Sequence, residues 1–256
     1  MPIEKRTETL CVIPARGGSK TVPRKNIRQI CGKPLVGYIL ESVIESEAFD
    51  KIILSTDSEE IAEAVVASYD VEIPFIRPSE LAQDETPMMD VLRHAVEFFE
   101  RKNSTYKVVF SVQPTNPFIR PQTLVEAVDL FQKTGCDSVV SIAEILHYHP
   151  FRAYKYDCRS MKIAPLTEYT TERFQRKQDR PQVYGMTGGL FARTAELIKN
   201  WNGSGFGLGS DVRGVIVSQE EAFDIDTPFE MEVFESLMSF RSGQRRSTSS
   251  DSSRNN

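Results

Sequence analysis

No apolar run in this sequence approaches the roughly 20 residues needed to cross a bilayer. The opening residues, Met1-Pro2-Ile3-Glu4-Lys5-Arg6, also lack the apolar stretch of a secretory leader. Cysteine is scarce: Cys11, Cys31, Cys136 and Cys158 lie far apart, without metal-type spacing. Cys11 and Cys136 fall in or beside strand-like runs, where a reduced buried thiol is expected. A cytoplasmic protein without a disulfide framework is the expectation. Excess positive charge is missing too. The formal net charge is −5 and the pI about 5.4, so nonspecific binding to nucleic acid or to a membrane surface has no electrostatic support. Internal repeats are absent.

What is present is an alternation of strand-like and helix-like stretches over 256 residues, enough for one large α/β domain or one domain with an appendage. Leu10 to Ile13 reads as a buried strand. Leu35, Tyr38, Ile39 and Val43 share a helical face after Pro34. Ile52-Ile53-Leu54 is a second strand, and Asp57-x-x-Glu60 reads as a capping box opening a helix with Ile61, Ala64 and Val65 inward. Val71 to Ile76 predicts a weaker strand. A polar loop from Arg77 to Thr86 leads to a helix with Val91, Ala95 and Phe98. Tyr106 to Val112 predicts another strand, stopped by the prolines of Gln113-Pro114-Thr115-Asn116-Pro117. Leu124, Val128 and Phe131 mark a helix, and Ser138 to Ile142 a strand. Val183 to Ala192, a helix around Leu197, a glycine-interrupted loop (Gly203 to Gly209) and a strand at Val215 to Val217 follow, before a closing helix ending near Phe240. Such alternation argues for a mostly parallel sheet with helices on both faces, and in such sheets ligands sit beyond the carboxyl ends of the strands. The expected organisation is a single domain over 1–241, with 144–181, where aromatic, charged and proline residues mix without a period, as a lid or dimerisation arm. The Ser- and Arg-rich 242–256 is expected to be a disordered tail.

The stretch after the first strand carries the clearest chemistry. Ala15-Arg16-Gly17-Gly18-Ser19-Lys20, continuing to Pro23-Arg24-Lys25-Asn26, concentrates four cations in an acidic protein. It is not a Walker A loop, because Lys20 follows Gly18 by two residues, with Ser19 between them, and the Gly-x4-Gly-Lys spacing is missing; nor is it a dinucleotide Gly-x-Gly-x-x-Gly. Gly17 and Gly18 are able to turn their amides inward as an anion nest, with Arg16, Lys20 and Lys25 neutralising phosphate charge. The bland alternative is a solvated basic turn. Far along the chain, Asp224 and Asp226 stand two apart, so in an extended segment both carboxylates face one side, as a Mg²⁺ site requires. Asp226 or Thr227 before Pro228 also fits a helix N-cap. His147 and His149 without further ligands are read as packing or surface residues.

Ile13-Pro14-Ala15-Arg16-Gly17-Gly18-Ser19-Lys20 with Val22-Pro23-Arg24-Lys25-Asn26 resembles the signature of the acylneuraminate cytidylyltransferases, or CMP-sialic acid synthetases. The resemblance extends through Ser55-Thr56-Asp57, Arg77-Pro78-Ser79-Glu80-Leu81-Ala82, Gln113 to Pro117 and Asp224-Ile225-Asp226-Thr227, in family order. It implies a three-layer nucleotidyl-transferase α/β fold, a homodimer formed through an extended arm, and attack of a nonulosonic acid on the α-phosphate of CTP with release of pyrophosphate. It also implies roles. Ala15 to Gly18, Arg16 and Lys20 hold the triphosphate, and Lys25 stabilises the transferring phosphate. Asn26 and Arg77 read the cytosine, Gln113 orients the sugar acid, and Asp224 and Asp226 hold Mg²⁺. Arg152 reaches the partner's site, and either Arg176 or Lys177 meets the substrate carboxylate; position favours Lys177, guanidinium geometry Arg176.

Three departures stand out. Tyr184-Gly185-Met186-Thr187-Gly188-Gly189-Leu190-Phe191 replaces a family segment written basic-Pro-Asn-Gly-Ala-Ile-Tyr. Asp84-Glu85-Thr86-Pro87-Met88-Met89 stands where small hydroxyl residues are common, and Phe118-Ile119-Arg120 is one residue longer before its arginine. All three are expected to touch substrate or ribose contacts, so the acceptor is expected to differ from N-acetylneuraminic acid, a legionaminic, pseudaminic or deaminated nonulosonate being the alternatives. Two further readings remain: CMP activation of a 3-deoxy-octulosonic acid, and a nucleotide-binding protein without turnover.

Overall fold

Every residue of the first strand, β1 (Thr9–Pro14), is buried, as a central strand covered on both faces must be. The computed structural model describes residues 8–166 and 176–251. After β1 come β2 (Gln29–Ile30), β3 (Lys33–Pro34), α1 (Leu35–Ser46), β4 (Lys51–Ser55), α2 (Glu59–Val66), α3 (Met88–Arg101), β5 (Val108–Val112), α4 (Pro121–Thr134), β6 (Ser138–Glu144), β7 (Tyr154–Asp157), β8 (Lys162–Pro165), β9 (Tyr184–Thr194), α5 (Ala195–Lys199), β10 (Val212–Ile216) and α6 (Pro228–Asp251).

Six strands form the main sheet in the order β10-β6-β9-β5-β1-β4, every neighbouring pair parallel except those made by β9, which runs antiparallel to β5 and β6. The two-residue period of β1 divides the core. Cys11 and Ile13 pack with Val36, Ile39, Val65, Leu124 and Phe131 from α1, α2 and α4, whereas Leu10 and Val12 pack with Leu92, Ala95, Phe99 and Ile198 from α3 and α5. The expected sheet with helices on both faces is therefore present.

Four sequence expectations need correction. Val71 to Ile76 makes only two isolated bridges, Ile53↔Glu72 and Thr56↔Ile76; Pro74, without an N–H, interrupts any longer ladder. Helix α2 is capped by Ser58, whose Oγ accepts from the Ile61 amide at 3.3 Å, so Asp57 is released for another task. The arm is not wholly irregular: β7 and β8 form an antiparallel hairpin with every residue exposed, after a 3-10 turn at Pro150–Arg152. Tyr169 and Phe174 lie outside the described residues. Finally, α6 continues past Phe240 to Asp251, so 242–251 is helical rather than a disordered tail. A helix already nucleated on a packed face extends through Ser, Gln and Arg at little cost per residue. Residues 252–256 lie outside the description.

A buried carboxylate joins the two halves of the chain. Glu221 is 1% exposed and accepts from Arg120 Nη2 (2.7 Å), Thr123 Oγ1, the Ser218 amide (3.1 Å) and Ser218 Oγ (2.9 Å). Burial pushes its pKa up, but the hydrogen bonds from Arg120, Thr123 and Ser218 outweigh that and bring it to about 2. The folded value lies below the unfolded one, so the stabilisation is fully present above pH ~4.3 and is lost as pH falls through about 2. Glu221→Gln is expected to cost on the order of 2 kcal/mol at pH 7. In urea unfolding, that gap from the parent protein should shrink steadily as the buffer is taken from pH 5 towards pH 2; a gap independent of pH would mean the carboxylate charge is irrelevant.

Candidate active site

The carboxyl ends of β1, β4 and β5 open on one edge of the sheet, and a cleft of about 510 Å³ lies there. Four cations, Arg16, Lys20, Lys25 and Arg77, line it with the carboxylates of Asp84 and Asp226, together with Gly18, Asn26, Gln113 and Thr115. Residues from four separate stretches of sequence thus meet in one place.

The glycine loop is held from below. Ala15 is fully buried, its amide donating to the Ser55 carbonyl at 2.9 Å. Gly17 donates its amide to Asp57 Oδ1 at 2.9 Å, so that amide is committed to a protein carboxylate and the two-glycine nest expected from the sequence is not formed. A Cβ on Gly17 would come within 2.9 Å of Ser58 Cβ, closer than real Cβ contacts allow. This residue is glycine for approach to α2; Gly18, with open space around it, faces the cleft. Asp57 also lies 3.7 Å from Arg77 Nη2. Burial pulls the Arg77 guanidinium below its usual range, Asp57 opposing, and Arg77 Nε is buried without a partner. Asn26 is buried and donates to the Arg16 carbonyl at 2.9 Å, bracing the loop. Arg24, counted among the cations in the sequence, pairs with Glu60 and is not a wall of the cleft.

Lys25 connects the two ends of the chain. Its Nζ donates to the Ile225 carbonyl at 2.7 Å and lies 3.4 Å from Asp226 Oδ1, and its side chain is 12% exposed. The aspartate segment is fixed by backbone: Ile225 N donates to the Thr115 carbonyl at 2.9 Å, and Asn116 Nδ2 to the Phe223 carbonyl at 3.2 Å. Asn116 is fully buried, and a Cβ on Gly189 of β9 would lie 2.8 Å from its Cγ, so glycine is required there. The helix cap expected at Asp226 or Thr227 is made by Thr227. Thr227 Oγ1 accepts from the Glu230 amide at 3.3 Å, and Glu230 Oε2 accepts from the Asp226 and Thr227 amides at 2.8 and 2.7 Å. That capping box leaves the Asp226 carboxylate uncommitted to the helix. Asp224 Oδ1 is buried without a partner. Burial raises the Asp224 pKa, with the charge of Asp226 adding and a hydrogen bond from Thr115 and the charge of Lys25 opposing. An orphaned carboxylate oxygen beside a second carboxylate suits a hard cation, although no cluster of three or more metal-ligating side chains exists among the described residues.

Of the substrate residues expected from the arm, Arg152 and Arg176 are not among the residues lining this cleft. Arg152 lines a second cavity of about 650 Å³ with His147, Tyr148, His149 and Tyr154. Arg176 is exposed, and the Lys177 side chain lies outside the described residues. His149 is buried, its Nδ1 accepting from the Phe151 amide at 3.2 Å and its Nε2 3.0 Å from the Pro181 carbonyl oxygen. It is a packing residue.

The departures separate in the structure. Arg120 is spent on Glu221 and is not part of the cleft, which corrects the expectation of a substrate contact. Thr187 sits where the register of β9 against β6 shifts, its hydroxyl 2.6 Å from Ser141 Oγ. Asp84, by contrast, is in the cleft, between Arg16 and Lys20. Asp57, Asp84, Thr115 and Asn116 brace or line this cleft, a place that sequence reasoning did not give them. For Asp57 the signal was ambiguous, since Asp-x-x-Glu reads equally as a cap.

A mostly parallel sheet, a basic loop after its first strand and Asp226 facing that loop, with Asp224 buried behind it, are the features of a nucleotidyltransferase. The CMP:2-keto-3-deoxy-manno-octonic acid synthetase, solved with CTP, shares the fold with a TM-score of 0.67 at 16% identity, covering 92% of this chain and 100% of that one. The cytidylyltransferase family model matches residues 10–161, and the chain belongs to that family of nucleotidyltransferase enzymes. The CMP-N,N'-diacetyllegionaminic acid synthase of Legionella pneumophila is 31% identical over 233 residues, which span 90% of this chain and 95% of that protein. A pseudaminic acid cytidylyltransferase of Campylobacter jejuni is 30% identical over 225 residues, 88% of this chain and 94% of that protein. Among the described residues no helix is long and apolar enough to cross a membrane.

Proposed function

We propose that this enzyme transfers CMP from CTP to the anomeric hydroxyl of a nonulosonic acid of the legionaminic or pseudaminic type. The observation that carries the reading is the Lys25 bridge, which brings the basic loop and the Asp224/Asp226 segment to one cleft. In the reaction the anomeric oxygen forms a bond to the α-phosphorus, its proton passes to solvent, and the bond to the α–β bridging oxygen breaks, pyrophosphate leaving with the electron pair. Arg16 and Lys20 take the leaving phosphates, where cations offset the charge that builds on the bridging oxygen. Lys25 stands nearer the aspartates, in reach of the α-phosphate. Arg77, with its unpartnered Nε, and Asn26 form the base-reading wall, and Gln113 and Thr115 the acceptor side.

Asp224 and Asp226 are the residues that would hold Mg²⁺, which when bound supplies neutralisation of phosphate charge. Two carboxylates and phosphate oxygens are the usual complement for this ion, so the lack of a third side chain is no obstacle.

The acceptor type rests on two relatives that match over nearly their whole lengths and on the altered β9 segment, in which Thr187 is tied to Ser141. A homodimer is part of the proposal: the hairpin of β7 and β8 exposes Tyr154, Tyr156 and Ile163, and Arg152 beside it would serve a partner's acceptor site.

Pyrophosphate release from CTP and Mg²⁺ should be measured with N-acetylneuraminic, legionaminic, pseudaminic, deaminated and 3-deoxy-octulosonic acids, alongside the mass in solution. Fastest release with legionaminic or pseudaminic acid and a dimeric mass are expected. Release with the octulosonic acid alone would replace the acceptor, CTP binding without release from any acid would refute transfer, and a monomeric mass would remove the role given to Arg152.

A further inference from the structure

The cations assigned to the triphosphate are already engaged by an anion of the protein itself. Asp84 lies between the 3-10 turn at Ser79–Ala82 and α3. Its Oδ1 is 2.7 Å from Arg16 Nη1, and its Oδ2 contacts Lys20 Nζ. One oxygen meets each cation, as two non-bridging oxygens of a phosphate would. Gln83, Thr86 and Met88, from the same loop, line the same cleft, so the whole segment leans over the phosphate end. The hydrogen bonds from Lys20 and then Arg16 hold the Asp84 carboxyl below the usual carboxylate range, and Glu85 adds attraction for Lys20. The pair is solvent-accessible, with the Lys20 side chain 80% exposed and that of Asp84 30% exposed. Accessible ion pairs are weak and exchange readily. A triphosphate carries several such oxygens and more charge than one carboxylate, so it wins the competition without any rearrangement of the sheet.

We propose that Asp84 is an intramolecular competitor for the triphosphate grip: it occupies Arg16 and Lys20 in the free enzyme, yields them to CTP and reclaims them as pyrophosphate departs. The idea rests on the phosphate-binding part of the proposed function and adds a term that sets nucleotide affinity. The benefit lies at the end of the cycle. A cleft with unopposed cations retains pyrophosphate, whereas a tethered carboxylate is always at hand to replace it. It also keeps the two cations ordered between turnovers. The contrary role, in which Asp84 stays bonded and merely orients Arg16 for the nucleotide, predicts the opposite sign on removal.

Binding rather than turnover makes the test. Inorganic tripolyphosphate, pyrophosphate and CTP are titrated calorimetrically into the parent protein, Asp84→Asn, Asp84→Ser and Asp84→Glu. The side chain is on a surface loop, and thermal melts of the two neutral variants verify that each is folded. Both neutral variants are expected to bind tripolyphosphate and pyrophosphate about threefold to tenfold tighter at low salt, the size expected from losing two accessible ion pairs. The gain should fade as ionic strength rises, and Asp84→Glu should resemble the parent. Unchanged or weaker binding by the neutral variants overturns the proposal, as does absence of polyphosphate binding in all forms. Tighter binding by the neutral variants, in a protein that releases no pyrophosphate from CTP with any sugar acid, supports the competitor role while refuting the reaction.

Discussion

Lys25→Met is expected to lower kcat by about 10²–10³-fold, the cost typical of deleting one preorganised charge at a transition state. The Lys25 stem is largely buried and its Nζ reaches both the Ile225 carbonyl and Asp226, so its ammonium is held in place before substrate arrives. Methionine keeps the stem's length and apolar packing and removes only the charge. Arg16 and Lys20 remain to bind the β and γ phosphates, so the KM for CTP should change less than kcat. Steady-state rates over a CTP series, with a thermal melt as control, decide the matter. A kcat within tenfold of the parent would remove Lys25 from the chemistry and leave it as a strut between the glycine loop and the closing segment.

The second large effect is expected at the aspartates. Asp226→Asn should lower turnover by at least about 10²-fold, the scale of lost electrostatic stabilisation, and should raise the Mg²⁺ concentration needed for half-maximal rate. The helix should survive, because the cap of α6 uses Thr227 and Glu230 and takes from Asp226 only its amide. Asp224→Asn should be as damaging to turnover without loss of thermal stability. That carboxylate is partly buried with one oxygen unpartnered, so removing its charge relieves a desolvation cost. Chelation of the parent should abolish release of pyrophosphate, and added Mg²⁺ restore it. Full activity of both variants, or insensitivity to chelation, would refute the assignment. A clear fall in melting temperature for Asp224→Asn would instead make Asp224 a structural group.

Much of this arrangement was legible in the sequence because it depends on local periodicity. β1, α1, α3, α4 and β5 announce themselves by apolar spacing, since an element that buries one face must repeat it. Arg16, Lys20, Lys25, Asn26, Arg77, Gln113 and Asp226 were named from motifs and do meet in one cleft. The misreadings share a cause: a polar side chain has several possible partners, and only the fold says which is within reach. Asp57 had the spacing of a cap but is bonded to Gly17 across the sheet edge, and Ser58 took the cap. Arg120 was expected near substrate and is held by Glu221, which no local pattern connects to it. The tail was judged by composition, which omits the help a packed helix gives to the residues that extend it.

The sequence alone therefore determined the class of the sheet, the basic loop after its first strand and the two-residue spacing of the aspartate pair, because each is written in short-range spacing. The tertiary structure alone decided that Lys25 reaches Asp226, that Thr227 rather than Asp226 works with Glu230 in capping the last helix, and that Asp84 lies between Arg16 and Lys20. Those pairings join residues distant in the chain, and a charge binds whichever opposite charge the folded backbone brings within a few ångströms.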